Sequence, residues 1–246
     1  MNAPSHPAVL ETRPVLDFGG FAHVDFWLFD LDNTLYPAET NLFAQIDVRI
    51  RDFVARLLDM PPERANVVQK DYYHRYGTTL RGLMEEHGVT PDGFLEYVHD
   101  IDHSVVRPDP LLAAALKRLP GRKFVFTNGS RRHAERTMDY LGIGDAFDDI
   151  FDIVAADLVP KPQREAYDSF LRHTGVAPER AAMFEDLARN LAVPHAMGMR
   201  TVLVVPTGGH IQFRDAWEEG GEQSPHVDHV TEDLSLFVEG LADSRR

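Results

Sequence analysis

Short apolar runs alternate with helical stretches along most of this chain. Val24-Asp25-Phe26-Trp27-Leu28-Phe29 is nearly unbroken in apolar character and rich in aromatics, the pattern of a strand buried on both faces of a parallel sheet. Similar runs recur at 123–127, 181–184 and 201–205, and a weaker one lies at 150–154. Helical periodicity separates them. Arg131 to Leu141 stops at Gly142 and Arg164 to Thr174 stops at Gly175, and a glycine just past the last periodic residue is the expected end signal. Pro194 falls where another helix should form. Lacking an N–H, it predicts that this helix begins or kinks there. Regular alternation of strand and helix predicts an α/β fold with a doubly wound parallel sheet.

The segment 38–106 breaks the alternation, because it holds no strand pattern. Leu42, Phe43, Ile46, Ile50, Phe53, Val54, Leu57 and Leu58 fall on one helical face, and further helical stretches follow at about 63–75, 79–87 and 92–103. A strandless segment spliced into an α/β core predicts a separate helical unit over 38–106, with the core formed by 21–37 and 107–246. Pro37 and Pro108 stand near its two linkers and suggest hinge limits. Residues 1–20 carry Pro4, Pro7 and Pro14, end in Gly19-Gly20, and read as a mobile leader.

Composition narrows the partners. The chain has 246 residues and a formal net charge of −14, which disfavours a nucleic-acid polymer or an anionic membrane surface as partner, since both demand a basic face. Nothing approaches a spanning apolar segment, and the first residues lack the basic and apolar regions of a signal peptide. There are no cysteines, so disulfides, thiolate metal sites and a thiol nucleophile are excluded. A cytoplasmic location is the expectation.

Ligands of open α/β sheets sit beyond the carboxyl ends of the strands. After the first strand come Asp30 and Asp32, two carboxylates on the same side that can hold a hard cation and divide nucleophile from acid/base work. After the second come Thr127, Asn128 and Gly129, small polar groups entering a helix N-terminus that suits a phosphate. Lys161 follows the third, stiffened by Pro160 and Pro162, and Glu185-Asp186 follows the fourth. Each piece alone is ordinary turn or capping chemistry; four in order at strand ends are hard to explain structurally.

Phe29-Asp30-Leu31-Asp32-Asn33-Thr34-Leu35-Tyr36, Thr127-Asn128-Gly129, Lys161-Pro162 and Phe184-Glu185-Asp186 resemble the four motifs of the haloacid dehalogenase (HAD) superfamily, and the insertion resembles its type-1 cap. The stretch 72–83, Tyr97-Val98-His99, Phe126 to Ser130 and Ala188-Arg189-Asn190 are similar to the pyrimidine 5′-nucleotidase branch. The resemblance implies a Mg²⁺-dependent phosphomonoester hydrolase working through an aspartyl-phosphate. Asp30 would be nucleophile and Asp32 acid/base. The metal would be held by Asp30, the Asp32 backbone carbonyl and Asp186, with Glu185 behind its waters. Lys161, Thr127, Asn128 and Gly129 would bind the phosphate. A dehalogenase of this superfamily needs no acid two residues after its nucleophile, so Asp32 points to phosphate transfer.

The substrate expected is a nucleoside 5′-monophosphate; phosphoglycolate, a sugar phosphate, or a silent binding module are the alternatives. Tyr36, Tyr72, Tyr73 and Tyr76 are candidates to stack on a base, and His74, Arg75 and Arg81 to meet its oxygens, against the plainer reading of helical core packing. His99 and His103, at i and i+4, invite a zinc reading, but no third ligand accompanies them.

Overall fold

The computed structural model describes residues 18–207 and 221–245. Most of the expected leader therefore lies outside the described residues. Six parallel strands form one sheet: β1 (Phe26–Phe29), β2 (Arg122–Phe126), β3 (Asp149–Phe151), β4 (Ala181–Glu185), β5 (Arg200–Val204) and β6 (His229–Thr231), in the order β3-β2-β1-β4-β5-β6. The chain steps outward from β1 through β2 to β3, then returns to place β4 on the other side of β1. The reversal leaves a crevice at the carboxyl ends of β1 and β4, where open α/β sheets bind ligands.

Both faces of the sheet are covered. Successive side chains of a strand point to opposite faces. Trp27 and Phe29 accordingly join a cluster with Val125, Phe184 and Phe237, while Leu28 joins Phe124, Phe126, Met183 and Phe170 on the other side. Phe29 stacks on Phe184 with ring centroids 4.5 Å apart. This packing fixes β1 against β4, and with it the relative placement of the residues just beyond each strand.

The helices of the core are α5 (Pro110–Arg118), α6 (Arg131–Leu141), α7 (Arg164–Thr174), α8 (Ala188–Ala196) and α9 (Leu234–Ser244), and α6 and α7 end at the anticipated glycines in left-handed conformation. Of the two expectations for Pro194, a start or a kink, the start is corrected. The helix around Pro194 starts at Ala188, so Pro194 lies in its interior. The carbonyl that Pro194 cannot bond, that of Asn190, accepts instead from the Tyr167 hydroxyl at 2.7 Å, which offsets the lost helical hydrogen bond. The edge strand β6 had no apolar run to announce it, being His229-Val230-Thr231.

Between β1 and α5 lie the helices α1 (Leu42–Leu57), α2 (Pro62–Tyr76), α3 (Thr79–His87) and α4 (Pro91–Val98). Here the expectation of helix over 92–103 is also corrected. α4 stops at Val98, and Asp102 then caps a separate short turn over His103–Val105 by accepting from the Ser104 amide. Within this unit α2 and α3 meet closely at Gly82, where an added Cβ would lie 2.5 Å from Tyr72 Cγ. Gly82→Ala gains about 1 kcal/mol of helix propensity. It also forces the Tyr72 ring from its seat, an overpacking worth about 1–3 kcal/mol, so a net loss is expected in urea unfolding. A more stable variant would show that the helices can move apart freely.

Candidate active site

Asp30 follows β1 directly, its amide bonded to the Phe184 carbonyl, so its side chain lies beside Glu185 of β4. Between them sits Lys161. Its Nζ donates to Asp30 Oδ1 (2.6 Å), the Phe126 carbonyl (2.7 Å) and Glu185 Oε1 (2.8 Å), satisfying all three protons in a residue that is only 1% exposed. Asn128 clamps the Lys161 main chain from both sides, accepting from its amide and donating to its carbonyl. Glu185 is held in turn, receiving Asn190 Nδ2 on Oε1 and the Leu187 amide on Oε2.

Asp30, Glu185 and Asp186 each bring a carboxylate oxygen within 4.8 Å of the others, all buried. Burial pushes the Asp30 carboxyl well above its ordinary value. Lys161 opposes this, while Glu185, Asp186 and Asp32 add to it. Burial likewise opposes the charge on Lys161, but Asp30 and Glu185 outweigh it and raise the ammonium. Glu185 is held below its ordinary value: burial works against its charge, and Lys161 with the Leu187 amide and Asn190 prevails. Several carboxylates thus face a single buried ammonium. The donors are all oxygen, which is the chemistry of a hard divalent cation.

Asp32 stands apart from this group and has its own partners. Its Oδ1 receives the Tyr36 hydroxyl (2.6 Å) and His133 Nε2 (2.9 Å). Burial would raise this carboxyl, but His133 and Tyr36 outweigh it and lower it. His133 lies in the first turn of α6, after the cap residue Ser130, whose Oγ accepts from the His133 amide. Thr127 Oγ1 accepts from the Gly129 amide.

Asp30, Asp32, Lys161, Glu185 and Asp186 line one end of a cavity of about 190 Å³. Its far end is formed by the helical insertion: Phe43, Ile46, Ile50, Leu80, Phe94, Leu95 and Val98 make an apolar wall, and Asp47, Gln69, Lys70, Thr78 and Thr79 a polar edge. Gln69 donates from Nε2 to Asp47 Oδ1 at 2.8 Å, while its Oε1 is buried and without a partner among the described residues. Asp47, Gln69 and Lys70 do not stand out in the sequence, because a polar residue facing a cavity has the same helical spacing as one facing solvent, and Thr78 and Thr79 do so only as part of the stretch 72–83.

The structure brings Asp30, Asp32, Thr127, Asn128, Gly129, Lys161, Glu185 and Asp186 to the cavity, and of the four candidate tyrosines only Tyr73. Tyr73 packs under the Arg189 guanidinium, 4.7 Å from the ring centre. Tyr36 is buried behind Asp32, Tyr72 bonds His87 Nε2, and Tyr76 bonds Glu86. Arg81 pairs with Glu85, Arg75 with Asp71, and His74 is exposed on α2. His99 and His103 do not share a helix, yet both converge on His133 (ring centroids 4.6 and 5.3 Å away). Burial, then His133, holds His99 down to about 3 and His103 to about 4, so both are neutral imidazoles at neutral pH. Among the described residues they belong to no metal-holding group.

The sequence matches the family of haloacid dehalogenase-like hydrolases over residues 25–198. The chain belongs to that family. The HAD-like hydrolase is 28% identical over 195 residues to phosphate metabolism protein 8 of Saccharomyces cerevisiae, a match covering 72% of this chain and spanning only 60% of that relative. Among solved structures, L-2-haloacid dehalogenase from Xanthobacter autotrophicus superposes with a TM-score of 0.53 at 16% identity, covering 87% of this chain and 97% of the other. A HAD phosphatase from Thermococcus onnurineus gives 0.54 at 17%, covering 87% and 96%. These likenesses show the α/β fold that the strand–helix alternation predicts. Among the described residues no helix is long and apolar enough to cross a membrane.

Proposed function

We propose that this HAD-like hydrolase is a Mg²⁺-dependent phosphatase of nucleoside 5′-monophosphates, with pyrimidine nucleotides preferred, and that 38–106 acts as its cap. The observation that carries the phosphatase reading is Asp32, a carboxyl at the cavity two residues from Asp30 and fixed by two donors. An acid so placed is needed to protonate an alcohol leaving group and has no task in displacing halide.

In this reading Asp30 attacks phosphorus in line, the bond to the leaving oxygen breaks, and that oxygen takes the proton from Asp32. A water then attacks the aspartyl-phosphate, gives its proton to Asp32, and releases phosphate and the Asp30 carboxylate. Lys161 and Thr127 stabilise the charge on the transferring oxygens. Asp30, Asp186 and the Asp32 carbonyl would hold Mg²⁺, with Glu185 behind. The ion supplies the positive charge that lets two anions meet. The oxygen-only donor set and the burial of Asp30 among other carboxylates fit such a cation.

The leaving-group end supports a nucleoside over a sugar phosphate or phosphoglycolate. An apolar wall desolvates hydroxyl groups without compensation, whereas it covers the faces of a planar base well. The unpartnered Gln69 Oε1 calls for an N–H donor, which a base edge carries. The global charge of −14 opposes a dianionic substrate, but such fields fade over about 8 Å at physiological salt, so binding is local.

A hydrolysis panel tests this. UMP and CMP should lead AMP, phosphoglycolate and hexose phosphates with Mg²⁺ present, and EDTA should silence all of them. UMP and CMP among the poorest substrates would remove the nucleotide assignment. Full activity in EDTA would remove the metal.

A further inference from the structure

We infer that His133 is a positioning residue for Asp32, fixing which oxygen of that carboxyl exchanges the proton with the substrate. The inference rests on the phosphatase reading, and its basis is the geometry around one carboxyl. Both donors to Asp32, the Tyr36 hydroxyl and His133 Nε2, land on the same oxygen, Oδ1. Among the described residues Oδ2 takes no side-chain donor. Two hydrogen bonds concentrated on Oδ1 stabilise negative charge there, so the transferable proton sits on Oδ2, and the carboxyl plane is fixed while it does so.

His133 is itself immobilised on every side. It is 1% exposed. Its Nδ1 faces His103 Nε2 at 3.2 Å, and His103 Nδ1 faces the Ile101 carbonyl at 3.2 Å. His99 lies flat against the ring, with an interplanar angle of 8°, and is tied through Nδ1 to Ser130 Oγ at 3.0 Å. The same Ser130 caps the turn that carries His133. Gly129 leaves room for this stack, since a Cβ there would lie 3.3 Å from His133 Cδ2. His99 and His103 come from the segment that leads out of the helical insertion, so a segment 30 residues distant from His133 holds its imidazole against the Asp32 carboxyl. A ring serving only to fill the core would need none of these polar contacts, and each costs free energy to bury unless it is made.

The experiment compares leaving groups. An alkyl monoester such as UMP or glycerol 2-phosphate leaves as a strongly basic alkoxide and depends on the acid; p-nitrophenolate is a good leaving group and depends on it little. kcat/KM reports the steps through aspartyl-phosphate formation, where this difference is expressed. In His133→Asn the amide reaches the position of Nδ1 and not that of Nε2, so the bond to Asp32 is lost. kcat/KM for the alkyl esters is expected to fall about 100-fold, the lower range for a general acid, and that for p-nitrophenyl phosphate less than about 10-fold. In His133→Gln the amide nitrogen can reach the Nε2 position, and most of the alkyl-ester activity should return.

Equal losses for both leaving groups in His133→Asn, or a His133→Gln as deficient as His133→Asn, would overturn the assignment and leave a packing role. Retained p-nitrophenyl phosphate turnover serves as the check on folding. Should His133→Asn not fold, His133→Gln decides alone: a selective collapse on alkyl esters there contradicts the placement of its amide. If the unaltered protein releases phosphate from none of these esters, the phosphatase reading falls and this inference with it; a leaving-group-independent loss in an active enzyme removes this inference only.

Discussion

Asp30→Asn is expected to lower phosphate release by four to six orders of magnitude, the scale on which removal of a covalent nucleophile acts, while the protein stays folded. The substitution keeps shape and volume. Its carbonyl oxygen can still accept from Lys161 Nζ, which stands 2.6 Å from Asp30 Oδ1. It removes one negative charge from a buried cluster in which Glu185, Asp186 and Asp32 already push the Asp30 carboxyl upward. The thermal midpoint should therefore hold or rise as activity vanishes. That opposition separates loss of a nucleophile from loss of structure. Phosphate release from p-nitrophenyl phosphate with Mg²⁺, measured beside a melting curve, checks it. A variant keeping a tenth of the activity would disprove Asp30 as nucleophile.

Lys161→Met should have the opposite profile, losing activity and stability together. The ammonium meets Asp30, Glu185 and the Phe126 carbonyl, and all three side chains are buried. Removing it strands two carboxylates and an acceptor. Breaking a buried ion pair from one side costs about 3–5 kcal/mol, which for a chain of this size lowers the melting temperature by on the order of 10 °C. Methionine fills most of the volume, so the deficit measures charge and not a cavity. Because the stranded groups adjoin the proposed cation site, Mg²⁺ should raise the melting temperature of the variant more than that of the parent. Stability within about 1 kcal/mol of the parent would mean that the carboxylates are already neutral without Lys161.

The contrast between the two substitutions has a common source. The site holds more buried negative charge than one ammonium balances. It should tolerate the loss of a carboxylate and not that of its cation. The −14 of the whole chain is therefore partly a local property of this crevice, where four of the acids converge at the ends of β1 and β4.

Much of this site is legible in the sequence alone. A strand end fixes the direction of the next residues within a few ångströms, so Asp30, Thr127 and Glu185-Asp186 can be placed at one edge as soon as their strands are recognised, whereas Lys161 lies well past the end of β3 and is brought in by its bonds to Asn128. The glycine stops at Gly142 and Gly175 are equally local, since only the residue's own backbone freedom is involved. Where a second element intervenes, local reasoning fails. The helix through Pro194 persists because Tyr167, 23 residues away from Asn190, takes over a carbonyl. Tyr36 and Tyr72 look like candidates to stack on a base, yet one bonds Asp32 and the other packs on α3.

The class of fold and the four acids at the ends of β1 and β4 follow from local sequence, because strand direction and side-chain alternation are set by nearest neighbours along the chain. Tertiary packing alone brings His133, 101 residues from Asp32, onto its carboxyl, and leaves Gln69 at the cavity wall with a buried oxygen unpartnered among the described residues. Those contacts depend on how α6 and the helical insertion pack over β1. Packing of that kind is a property of surfaces meeting, which no periodicity along a single segment records.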